Sequence, residues 1–150
     1  MPERIVSNPA PAPPASQVVR PVIGLLAGIG VALLIVAVGT VVAGLFTLHG
    51  ADALSKPFPA GYVWGKLVAA AVGALAGGFT TSRITVGRSM FTVVVLALIL
   101  FVAAAGPALR GTGAFPNDPR WFPLTLAAVE LLGVLLGGAL ERVLESRGAA

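Results

Sequence analysis

Cysteine is absent from the 150 residues, and histidine occurs once. The first absence excludes a disulfide framework and a thiolate metal site, and carries no information about compartment. Charge is scarce as well. Asp, Glu, Lys and Arg make up 11% of the chain, against about 25% in an average soluble domain. Hydrophobic residues reach 57%. A water-soluble fold of this length has too little interior to hide that much apolar surface. The net charge of +4 raises nucleic acid as a partner. The ten Lys and Arg residues form no basic stripe, however. They fall in short segments between apolar runs, where basic residues orient membrane helices. The expected partners are lipids and other membrane subunits, not nucleic acid.

Four runs are long and apolar enough to matter, since a spanning helix needs about 20 such residues. Val22 to Leu48 is 27 residues without a charge. Tyr62 to Thr81 is interrupted only by Lys66. Ser89 to Gly106 is 18 residues long and ended by Pro107, and Trp121 to Leu140 is the fourth. Each run must satisfy its own backbone hydrogen bonds in lipid, which selects helices. Val93, Val94 and Val95 favour a strand in water, and lipid overrules that preference. The first run is too long for the core of a signal peptide, about 7–15 residues, and the only cleavage site in view is Ala51-Asp52-Ala53. The expected architecture is an all-α membrane protein with four transmembrane helices over 22–48, 62–81, 89–106 and 121–140. A Pro-rich cytoplasmic tail (1–21) precedes the transmembrane domain (22–140) and a short cytoplasmic tail (141–150) follows it. The prolines of the first tail favour extended polyproline II, a segment that lies along a partner. Residues 141–147 read as a solvated continuation of the fourth helix, with Glu141 and Glu145 near arginines.

Four spans place both termini on one side of the membrane. That side carries Arg4, Arg20, Arg83, Arg88, Arg142 and Arg147; the other carries Lys56, Lys66, Arg110 and Arg120. Six against four favours cytoplasmic termini. The opposite side collects Phe58, Tyr62, Trp64, Phe115, Trp121 and Phe122, which reads as an interfacial belt. The same region contains an internal match. Phe58-Pro59 precedes Trp64 at the spacing by which Phe115-Pro116 precedes Trp121, an offset of 57 residues. The match points to a duplicated two-helix hairpin, both copies in one orientation.

Helices in lipid associate through close approach at small residues. Gly61, Gly65, Ala69, Gly73 and Gly77 recur every fourth residue along the second run. Ala70, Ala74 and Gly78 form a row beside them. Gly24, Gly28, Gly39 and Ala43 in the first run, and Gly133 and Gly137 in the fourth, offer matching faces. Glu130 shares its face with Ala127, Gly133 and Gly137. An ionisable group at that depth is costly and marks a function or a specific contact. It must find a donor or a proton, and Lys66 is the nearest basic candidate along the chain.

No catalytic set, phosphate loop or metal-ligand spacing is visible, so no enzyme and no cofactor are expected. His49 is a candidate axial ligand for a haem or chlorophyll-type pigment. Its place at the end of the first run favours an interfacial histidine instead. One carboxylate in four apolar runs resembles the small multidrug-resistance transporters, four-helix proteins with one essential membrane glutamate. This chain departs from them in carrying Glu130 on the fourth run, with no charge on the first and no aromatic expected around the carboxylate. Residues 62–88, a Gly/Ala-rich helix running into Arg83-Ile84, resemble small four-span bacterial inner-membrane proteins. That resemblance implies a four-helix membrane fold and no activity. Two functions are therefore expected: a non-catalytic accessory subunit of a respiratory or photosynthetic membrane complex, or a small proton-coupled transporter using Glu130.

Overall fold

The computed structural model describes residues 14–48, 58–85, 89–109 and 118–148. They form four helices: α1 (Pro14–Thr47), α2 (Ala60–Ile84), α3 (Ser89–Leu109) and α4 (Phe122–Gly148). Three carry stretches long and apolar enough to cross a membrane: Val19–Thr47, Ala60–Ile84 and Phe122–Arg147. The apolar stretch of α3, Met90–Gly106, is shorter. The valines at 93–95 are helical. Residues 1–13, His49, Phe115 and Pro116 lie outside the described residues.

Two helix ends differ from the sequence expectation. α1 begins at Pro14 and runs through Pro21, so residues 14–21 are helical rather than extended. Pro14 takes the first helical position, where its missing N–H would be unpaired anyway. Pro21 gives up one backbone bond, which the long apolar helix behind it absorbs. α3 likewise passes through Pro107 and stops at Leu109, with the proline confined to the last turn.

The order of packing follows from where the small residues point. α2 is the central helix. Its ladder faces α1, which runs antiparallel to it. A Cβ built at Gly65 would lie 2.6 Å from the Ala43 Cβ, and one at Gly39 would lie 2.5 Å from that of Ala69. At Gly73 it would meet the Ala32 carbonyl oxygen at 2.9 Å, and at Gly77 that of Gly28 at 2.8 Å. Gly61 closes the series against Thr47. The second row faces α4, which runs parallel to α2: a Cβ at Gly78 would fall on the carbonyl of Val134, and one at Gly133 would lie 2.7 Å from the Ala74 Cβ. Gly137 abuts the carbonyl of Leu75. With no side chains between them, these backbones gain dispersion contacts and Cα–H···O approaches that a lipid tail cannot match.

α3 closes the bundle against α4 by a different means. Val93 packs over Gly138 at one end, and Ala104 and Ala105 meet Ala127 further along. Val93, Leu96 and Val134 are fully buried in the main core. α3 reaches α1 where Leu96 packs against Gly28. α1 and α4 flank α2 on opposite sides and, among the described residues, do not meet.

One polar cluster lies at the Ile84 end of α2. Thr81 donates to the Gly24 carbonyl at 3.1 Å, and the Thr85 hydroxyl donates to the Thr81 carbonyl. The single Ser82 hydroxyl hydrogen is shared between Glu141 Oε2 at 3.1 Å and the Gly138 carbonyl at 3.4 Å. Thr81, Ser82 and Thr85 are buried, and the hydroxyls of Thr81 and Ser82 tie α2 to α1 and α4. The fourth helix continues through Glu141 to Gly148.

Candidate functional site

Glu130 sits eight residues into α4 from Phe122, about 12 Å along the helix axis at 1.5 Å per residue. Its neighbours at Ala127 and Gly133 are buried, and Glu130 itself is half-buried. It stands on the wall of a cavity of about 350 Å³ to which all four helices contribute. α1 supplies Leu33, Val36 and Thr40, and α3 supplies Leu100, Ala103 and Ala104. Lys66 and Ala70 come from α2, and Phe122 and Leu126 join Glu130 from α4. The cavity exists because, among the described residues, α1 and α4 do not meet: α2 holds both, and α3 reaches α1 around Gly28 and Ala32.

Lys66 is not the partner that chain proximity suggested for Glu130. Its ammonium lies 2.6 Å from Asp118 Oδ2, just ahead of α4. The reason is geometric. α2 and α4 run parallel, with Ala74 beside Gly133 and Gly78 beside Val134. That register puts Glu130 roughly 10 Å deeper along the bundle than Lys66. The Asp118 carboxylate is level with the lysine head. The pair is shielded: side-chain exposure is 16% for Lys66 and 3% for Asp118. The ammonium also lies 4.5 Å from the Phe122 ring centroid and 5.5 Å from that of Tyr62, within cation–π range. Asp118 Oδ1 is buried without a hydrogen-bond partner among the described residues. Glu130 has no hydrogen-bond donor among the described residues either.

The aromatic belt divides on inspection. Trp64 and Trp121 are exposed and lie 6.0 Å apart between ring centroids. Phe58 and Tyr62 are half-buried and meet edge to face at 5.0 Å. Phe122 is not interfacial. It is fully buried against Val63 and Leu67, which it reaches as the first residue of α4. It also lines the Glu130 cavity, so an aromatic ring does accompany the carboxylate. The two positions are eight residues apart, a little over two turns, and so share a helix face. That spacing is the signal by which the sequence could have linked them.

The small residues singled out from the sequence pack helix on helix, and His49 lies outside the described residues. Gly61, Gly65, Ala69, Gly73 and Gly77 are spent within the chain on α1, and Gly133 and Gly137 on α2. Asp118 lies just ahead of α4, and the course of that helix brings it to Lys66. No group of three or more His, Cys, Asp or Glu side chains among the described residues could hold a metal ion.

The fold thus defines an all-helical protein with three helices able to cross a membrane, a shorter apolar fourth, and a cavity between them. No known protein family, curated protein or solved structure matches this chain.

Proposed function

We propose that this is a non-catalytic, multi-pass protein of the bacterial inner membrane that binds a small lipophilic monocation at Glu130 and exchanges it for a proton. One observation carries the reading. A carboxylate stands on the wall of an apolar cavity, unmatched by any donor among the described residues, while the nearby lysine is held by Asp118. The Lys66–Asp118 pair is neutral as a unit, so the cavity holds one net negative charge. A carboxylate there takes one positive charge at a time, a proton or a ligand cation. The volume of about 350 Å³ suits a small molecule, and the walls suit an apolar body around the charge.

The membrane setting is supported by the outer surface, where Leu34, Leu45 and Phe46 are 65%, 72% and 77% exposed. Such an array on a monomer in water would drive aggregation. α3 serves as the fourth span in this reading, near the lower limit of about 17 residues. Cytoplasmic termini rest on the count of basic residues, six against four. The bacterial setting rests on the resemblance of residues 62–88.

A second reading is favoured by helix length. At 1.5 Å per residue the 34 residues of α1 extend about 51 Å, well beyond a hydrocarbon core of about 30 Å. The excess, together with residues 141–148 of α4, projects on one face. Those ends would serve as arms by which an accessory subunit docks to a respiratory or photosynthetic complex.

The test is equilibrium binding of tetrapropylammonium to the detergent-purified protein. Saturable binding is expected, with affinity falling at least tenfold in Glu130→Gln. Equal affinity in the two proteins rules out the cation site. Stable co-purification with large membrane partners and no cation binding would favour the accessory subunit.

A further inference from the structure

The Lys66–Asp118 pair has more structure around it than a tie between two helices needs. The lysine head meets a carboxylate oxygen at 2.6 Å and two aromatic rings at 4.5 and 5.5 Å. A carboxylate with converging ring faces is the chemistry that selects organic ammonium ions, because the rings attract a cation that water holds weakly. We propose that Asp118, Tyr62 and Phe122 form a recognition cage for alkylammonium ions, and that Lys66 fills it as a built-in occupant which an incoming ligand displaces.

Three features support exchange rather than a fixed brace. Asp118 Oδ1 is buried and lacks a hydrogen-bond partner among the described residues, so the carboxylate keeps an unused acceptor that a second donor would satisfy before the first departs. The occupant sits on a flexible four-carbon stem, and its head can leave without a backbone change. Phe122 belongs both to the cage and to the cavity that holds Glu130. A ligand held at the cage therefore already touches the wall it follows inward, with Glu130 roughly 10 Å deeper. The chemistry fits primary to quaternary alkylammonium ions and excludes anions. The onward path rests on the cation-site reading of Glu130; the cage itself does not.

The test removes the occupant and supplies its head group in solution. Lys66→Ala leaves the cage empty and Lys66→Met leaves it partly filled, both as the full chain in detergent. Propylammonium chloride should raise the melting temperature of Lys66→Ala in a saturable manner, at concentrations at least tenfold below any effect of sodium chloride. The wild-type protein should respond at least tenfold more weakly. Adding Asp118→Asn to Lys66→Ala should abolish the response. If Lys66→Ala folds only when propylammonium is present during purification, the cage is equally supported. The proposal fails if neither variant is stabilised beyond the sodium control, if the response survives Asp118→Asn, or if neither variant folds with propylammonium present. Repeating the titration in Glu130→Gln separates the two sites. A cage response that persists there while tetrapropylammonium binding is absent leaves this inference standing and removes the other.

Discussion

Replacing Gly78 by alanine should be among the most costly single-methyl additions in the bundle, on a par with Gly137, where the added atom would fall on the Leu75 carbonyl. The new Cβ would land on the Val134 carbonyl oxygen, with the Val134 carbonyl carbon at 2.8 Å and its Cα at 2.9 Å. All three atoms are backbone, so no rotamer change relieves the clash and α2 and α4 must separate. Overpacking in a well-packed core costs about 1–3 kcal/mol when side chains can yield. The expected loss here is at the top of that range, about 3 kcal/mol, and Gly78→Leu should not fold. The controls are Gly30→Ala and Gly106→Ala, where nothing lies within 4 Å of the added atom. These should be neutral or gain up to about 1 kcal/mol from helix propensity. Thermal unfolding in micelles, with size-exclusion profiles, reads the difference. A Gly78→Ala protein that melts with the wild type would show that α2 and α4 are not in backbone contact.

The second large effect is expected at Lys66. Lys66→Met keeps most of the length of the side chain and strands the Asp118 carboxylate, only 3% exposed, without its ammonium. Removing one member of a buried pair costs about 3–5 kcal/mol, most of it the penalty on the charge left behind. Exchanging both members for apolar residues is often nearly neutral. Lys66→Met/Asp118→Leu should therefore recover most of what Lys66→Met loses. Chemical denaturation of the wild type, both single variants and the double variant gives the coupling directly. If the losses simply add, the two side chains do not depend on each other and the pair is a surface contact.

These expectations show which physical signals a linear sequence carries. The α2 ladder was legible because close approach in lipid has one solution, small residues at helical spacing, and Gly61 through Gly77 repeat every fourth position. The partner was not legible, since the same spacing serves a second chain as well as α1. Glu130 stood out by charge alone. The cavity beside it did not, because it arises from a missing contact between α1 and α4, and no residue encodes an absence. Asp118 lies 52 residues from Lys66, so only the parallel course of α2 and α4 makes them neighbours. Phe122 was grouped with Trp64 and Trp121 by position. Its burial against Val63 and Leu67 depends on which way the first turn of α4 faces, and that is set by tertiary packing. The buried hydroxyls of Thr81, Ser82 and Thr85 fall within five positions, and that clustering is the signal the sequence carries for them.

The two kinds of seam in this bundle differ in how they tolerate change. Where α1 meets α2 and α2 meets α4, main chain rests on main chain, and any growth of a side chain wedges the helices apart. Where α3 meets its neighbours, the contacts run largely through the tips of Val93, Leu96 and Leu100, which can be traded for others of similar bulk. Mutational drift is thus channelled to one wall: the chamber can be widened, narrowed or reshaped through α3 while the other three helices stay locked in place.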